Sequence, residues 1–256
     1  MTELKYNDIG KGKAVVLVHG FCETKEIWKV MANSLSKNYR VICPDLPGFG
    51  ESPLPNKHFD LKEIATMLEI GLSKLEVSSP MVIGHSLGGY ICLEMAANMG
   101  SGLAGLGLFH SSAFADEEEK KAVRNKTIEF VEKNGVEPFI RSFIPPLFAE
   151  NNRLPCSDKI ERLIMSGLKV KKSSLIAYTQ AMRDREDNLE TLKNFKGRKL
   201  LICGEKDPAV PLDVSRKHKE AVNVFHEIAD CGHMGMFEKK DQALNALLSF
   251  LKSTHE

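Results

Sequence analysis

A doubly wound α/β fold, built on a mostly parallel sheet, is what this sequence predicts, on three observations. First, short apolar runs recur at residues 13–18, 40–43, 81–83, 103–109, 199–203 and 222–228, most of them ending in Gly, Pro, Asp or His. Continuous rather than alternating hydrophobicity marks strands buried on both faces, as in a parallel sheet. Second, apolar residues return at helical spacing between the runs: Ile27, Val30, Met31 and Leu35; Ile64, Met67, Leu68 and Leu72; and, after Ser86, Leu87, Ile91, Leu93 and Met95. Strands alternating with helices wind into a parallel sheet by the connection rules. Third, the alternation stops over residues 113–192, where amphipathic helices are expected at 117–133, 136–144, 158–168 and 173–183, punctuated by Pro145, Pro146 and Pro155. We therefore expect a core made of residues 1–112 and 193–256 with a helical cap inserted at 113–192. An insertion at the carboxyl ends of such strands more often covers a ligand site than decorates the fold. The segment before Lys13 is expected to add an antiparallel edge strand.

Composition narrows the function classes. The chain of 256 residues carries 35 Lys and Arg against 34 Asp and Glu, a net charge of +1, with 27% charged and 43% hydrophobic residues. That is ordinary for a globular protein and excludes a disordered or collagen-like chain. A nearly neutral total leaves no footprint for nucleic acid. The acidic stretch from Asp116 to Glu119, which runs into Lys120 and Lys121, and the group Lys169, Lys171 and Lys172 read as solvated helix surface. No apolar run approaches the roughly 18 residues of a membrane span. Glu3, Lys5 and Asp8 stand where a signal peptide needs apolar residues, so the chain is expected to begin at or near Met1. Six cysteines without a C-x-x-C pair predict free thiols in a reducing compartment, the cytoplasm.

The chemistry centres on Met81-Val-Ile-Gly-His-Ser86-Leu-Gly-Gly89. A buried strand, Gly-x-Ser-x-Gly and a helix form the nucleophile-elbow pattern, in which serine sits on a strained turn and flanking glycines let backbones pass closely. A serine hydroxyl needs an adjacent base, and the base needs an orienting acid. Among eight histidines, His233 in Asp230-Cys-Gly-His233 follows the last strand on the rim where the elbow projects, and is the expected base. His58, His218 and His255 lie in polar surroundings and read as surface, His226 lies within a strand, and His85 neighbours the serine on a turn that aims it elsewhere. Asp207, in a loop directly after a buried strand, is the expected acid and completes the order serine, acid, histidine. Asp230 and Asp45 compete, although Asp45 sits in a Pro/Gly-rich loop that suggests a turn role. An oxyanion needs backbone N–H donors. Leu87 supplies one at the helix N-terminus, and Phe21, in His19-Gly20-Phe21-Cys22, supplies the other.

These residues make the chain resemble the α/β-hydrolases, in the branch of helical-cap esterases and epoxide-hydrolase-like enzymes. His19-Gly-Phe, the loop from Asp45 to Ser52, Gly84-His-Ser-Leu-Gly-Gly, Gly204-Glu-Lys-Asp-Pro and Gly232-His233 fall in family order along nearly the whole chain. The resemblance implies a sheet of about eight strands, a Ser-Asp-His triad and a cap over the pocket. Epoxide hydrolases and haloalkane dehalogenases carry aspartate where this chain has Ser86, which disfavours both reactions.

No His-Glu-x-x-His, paired C-x-x-C or dinucleotide fingerprint is present, so neither metal nor cofactor is expected. The expectation is a serine hydrolase that cleaves small to medium carboxylic esters through an acyl-enzyme, with no nucleic-acid or membrane partner, acting as a monomer or homodimer. Carbon-carbon hydrolysis, thioester cleavage, acyl transfer and a slow-turnover small-molecule receptor remain as alternatives. Phe139, Phe143, Ile144, Leu147 and Phe148 form an apolar stripe expected to be cap core, and the charged residues 183–187 are expected to anchor the cap by ion pairs. Cys22 and Cys231 flank the proposed donor and base, so alkylating reagents are expected to inhibit.

Overall fold

The computed structural model describes residues 3–55 and 58–253; His255, expected at the surface, lies outside them. The strands are β1 (Tyr6–Ile9), β2 (Ala14–Val18), β3 (Arg40–Pro44), β4 (Met81–His85), β5 (Gly105–Phe109), β6 (Arg198–Gly204) and β7 (Val224–Ile228). They form one sheet in the order β1-β3-β2-β4-β5-β6-β7. Seven strands are thus present among the described residues, where about eight were expected. Every residue of β2, β4 and β5 is buried, as continuous apolar runs require. The expected edge strand is β1, antiparallel to β3 and alternately exposed, which is the pattern of a strand with one wet face.

The helices are α1 (Lys29–Leu35), α2 (Leu61–Lys74), α3 (Leu87–Met99), α4 (Glu118–Asn134), α5 (Val136–Phe143), α6 (Glu150–Arg153), α7 (Ser157–Gly167), α8 (Lys172–Arg183), α9 (Leu189–Asn194), α10 (Leu212–Arg216), α11 (Gly235–Glu238) and α12 (Lys240–Ser253). α2 starts where Asp60 accepts the Glu63 N–H, an N-cap with a glutamate three residues on. Between β5 and β6 the described chain is helical, from α4 to α9. All other pairings of the sheet are parallel, so β2, β4, β5, β6 and β7 end on one rim. β3 lies to one side of β2 and β4 to the other, so the strand order reverses between β2 and β4. Open sheets of this kind bind ligands at such a switch point.

The segment between β5 and β6 is tied down by charge. Arg185 pairs with Asp116 at 2.7 Å, donates to the Phe114 carbonyl at 2.8 Å and lies 4.0 Å over the Tyr90 ring on α3. Glu186 in the same stretch pairs with Lys62 on α2 at 2.6 Å, an ion pair from this segment to the core, so the charged stretch anchors as expected. Asp116 itself is a correction: it is buried, and it also meets Arg124 at 3.1 Å. Burial would raise its pKa, and Arg185, Arg124 and Lys120 hold it lowered. Lys169, Lys171 and Lys172 are exposed, as read.

Candidate active site

Ser86 follows β4 and caps α3 with φ at +50°, a backbone region costly for any residue with a Cβ. A serine at this position ordinarily turns its hydroxyl onto the first helical N–H groups; here it makes no such bond, and the side chain is left half-buried at the rim. Close packing enforces the turn. A Cβ on Gly84 would run into the Gly88 and Gly89 backbone, and one on Gly88 would stand 2.5 Å from the Val18 carbonyl oxygen. The start of α3 is thereby pressed against the end of β2. That contact sets Gly88, the residue after Leu87, against the Val18 and His19 carbonyls, where the loop carrying Phe21 begins.

The same loop is fixed by hydrogen bonds. His19 Nδ1 donates to the Gly20 carbonyl at 2.8 Å, and its Nε2 accepts the Leu46 N–H at 2.9 Å. This partner set makes His19 a neutral imidazole, and burial lowers its pKa accordingly. The Gly20 carbonyl and the Phe21 N–H belong to one planar peptide, so orienting the first orients the second. Neither the Phe21 nor the Leu87 amide has an acceptor among the described residues. Two unpaired amides are the kind of donor a developing oxyanion requires.

The acid and base meet directly. His233 Nδ1 lies 2.9 Å from Asp207 Oδ1 and 2.8 Å from Oδ2, and both residues are buried. Asp207 Oδ1 also accepts the Ala209 and Val210 N–H groups at 2.8 and 2.9 Å. Burial would raise the carboxyl pKa, but the charges of His233 and His110 and their hydrogen bonds to it push it far below the usual carboxylate range. Asp207 is therefore the anion that orients His233. No hydrogen bond joins Ser86 Oγ to His233 among the described residues; in resting enzymes this bond is often long and tightens with substrate.

Sequence reasoning missed His110. It directly follows β5 with φ at +48°, donates its N–H to the Ile202 carbonyl, and places Nδ1 3.0 Å from Asp207 Oδ2. Burial lowers its pKa, so it serves as a neutral second donor to the acid. His110, Asp207 and His233 each offer one ligand atom within 4.8 Å of the others. Hydrogen bonds of 2.8–3.0 Å already engage those atoms, so the arrangement is that of a hydrogen-bond network.

The competing acids fall away. Asp45 accepts from the Lys25 N–H and Nζ and from Glu51 N–H, a loop-bracing role. Asp230 is exposed and paired with Lys206 at 2.6 Å. His58 is exposed and His226 lies in β7, as expected. His218 corrects the surface reading: it is buried, accepts the Ala113 N–H at 3.0 Å and bonds the Val214 carbonyl at 3.0 Å. The alkylation expectation is overturned too. Cys22 and Cys231 are fully buried, and burial pushes both thiols up, so folded protein offers neither access nor thiolate. All six cysteines are free.

The helical segment reaches this rim through its apolar stripe. Phe139 and Phe143 stack on each other and stand 6.2 and 5.8 Å from the Phe21 ring. The turn after α5 accepts the His233 N–H on the Leu147 carbonyl at 2.7 Å. Glu238 bridges the two parts, taking the Ala149 and Gly232 N–H groups at 2.9 Å each.

Comparison with known proteins gives the family and the fold. Residues 15–247 match the model of the Alpha/beta hydrolase family. A thermophilic esterase from Thermogutta terrifontis, solved with malate bound, superposes with a TM-score of 0.94 at 28% identity, covering 100% of this chain and 95% of that one. The dihydrolipoyllysine-residue acetyltransferase component of an acetoin cleaving system from Pseudomonas putida is 27% identical over 94% of this chain, which spans only 64% of that protein. A 2-hydroxy-6-oxo-6-(2'-aminophenyl)hexa-2,4-dienoic acid hydrolase from Metapseudomonas resinovorans is 23% identical over 97% of this chain and 87% of its own.

Proposed function

Because the chain belongs to the alpha/beta hydrolase family, we propose that it is a serine hydrolase that cleaves carboxylic esters of small to medium size through an acyl-enzyme on Ser86. The observation that carries this reading is the buried Asp207–His233 pair on the rim where Ser86 projects from its strained turn. His233 Nε2 removes the Ser86 Oγ proton as Oγ attacks the ester carbonyl, and Asp207 holds the imidazolium that forms. The tetrahedral oxyanion rests on the Phe21 and Leu87 amides. Collapse expels the alcohol, which takes its proton from His233; water, activated by the same base, then releases the acid. Residues 113–192 act as a cap that shields this chemistry, with Phe139 and Phe143 on its inner side. The six free thiols support a reducing, cytoplasmic setting.

The wild-type protein is expected to turn over p-nitrophenyl esters, and Ser86→Ala is expected to abolish that turnover. Retained turnover would overturn the assignment. The resemblance to the Metapseudomonas enzyme favours carbon-carbon cleavage as the second reading. A panel of short, long, aromatic and thioester substrates beside a carbon-carbon substrate decides between them: esters are expected to be fastest, and a faster carbon-carbon substrate removes the ester label.

A further inference from the structure

The proposed mechanism uses one buried histidine-carboxylate pair, and the structure holds a second. Glu23 and His85 are both buried, with His85 Nδ1 2.9 Å from Glu23 Oε2. His85 Nε2 lies 3.0 Å from the His233 carbonyl. Both ring nitrogens therefore face acceptors, and only an imidazolium donates from both. Burial opposes that charge, but the Glu23 carboxylate holds the His85 pKa raised, and His85 in turn holds Glu23 lowered. Besides Glu23, the titratable groups around His85 are His19, Asp207, His110 and His233.

The pair touches three loops of the site, those of Gly20, Ser86 and His233. Glu23 Oε2 also accepts the Gly20 N–H at 2.6 Å, in the oxyanion loop. His85 is the residue before the nucleophile, and its other nitrogen grips the backbone of the base. Buried ion pairs are poor stabilisers compared with apolar packing, so a pair placed here is better explained by geometry than by stability. Resting on the serine-hydrolase reading, we propose that Glu23 and the His85 imidazolium are positioning residues that hold the Phe21 amide and His233 in register with Ser86.

Two measurements test this. In wild-type protein labelled with ¹⁵N-histidine, His85 is expected to carry protons on both nitrogens at about pH 8, where an ordinary histidine is neutral. This needs no substrate, so it stands or falls whether or not Ser86 is the nucleophile. Glu23→Gln keeps the side-chain shape and an acceptor for Gly20 but removes the charge; kcat for a p-nitrophenyl ester is expected to fall ~10- to 100-fold with KM held within about twofold. A His85 with one bare nitrogen at that pH overturns the proposal. So does wild-type kcat in Glu23→Gln while Ser86→Ala is inactive, a result that leaves the triad standing.

Discussion

Two histidine-carboxylate pairs lie side by side at the carboxyl rim, their imidazole rings 4.8 Å apart, and they differ in what the second ring nitrogen meets. His233 gives Nδ1 to Asp207 and keeps Nε2 without a protein partner among the described residues. His85 gives one nitrogen to Glu23 and the other to a backbone carbonyl. In the proposed roles, the same two side-chain types make a base in one place and a clamp in the other. Free lone-pair capacity on a histidine, rather than its carboxylate partner, separates a group that moves protons from one that holds loops.

The comparison breaks most visibly at the acid. Asp207→Asn removes the charge that stabilises the imidazolium and presents an amide to Nδ1, so ester turnover is expected to fall about 10⁴-fold with folding retained. Steady-state kinetics on purified variant protein checks this. A loss under tenfold would mean that His110 and the backbone donors, rather than the acid, set the orientation of His233.

A smaller effect separates the pairs by pH. Asp207 is lowered in the folded state, so its contribution to stability is present above about pH 3.9 and is lost as pH falls through its folded value. Glu23 is also lowered, so its contribution is present above about pH 4.3 and lost in acid. His85 is raised, so its contribution is complete below about pH 6.5 and is lost as pH climbs through its folded value. The Tm gap between wild type and Glu23→Gln is therefore expected to be widest between about pH 4.3 and about pH 6.5 and to narrow in alkali. Thermal melts across that range check it; a gap that stays constant into alkali would show that His85 carries no charge in the folded protein.

Local pattern carried the sheet. The apolar runs at 14–18 and 105–109 are strands because residues buried on both faces leave no alternation, and the elbow was legible because strand, glycines and helix are contiguous. What escaped depends on distant partners. His110 reads as a strand end, and its meaning comes from Asp207, 97 residues on. Glu23 looks like a loop acid until the fold brings His85 to it across 62 residues. Asp116 and His218 sit among polar neighbours in sequence, yet the first is buried against Arg185 and the second, also buried, accepts the Ala113 N–H. Polar character predicts exposure only where no buried partner waits elsewhere in the chain.

Ser86 is the proposed nucleophile, activated by His233, which Asp207 orients. Reacting the native protein with a fluorophosphonate and mapping the adduct by peptide mass spectrometry tests it most directly. One adduct is expected, on Ser86, formed in the wild type and missing in His233→Ala; an adduct on any other residue, or labelling of Ser86 undiminished without His233, would contradict the assignment.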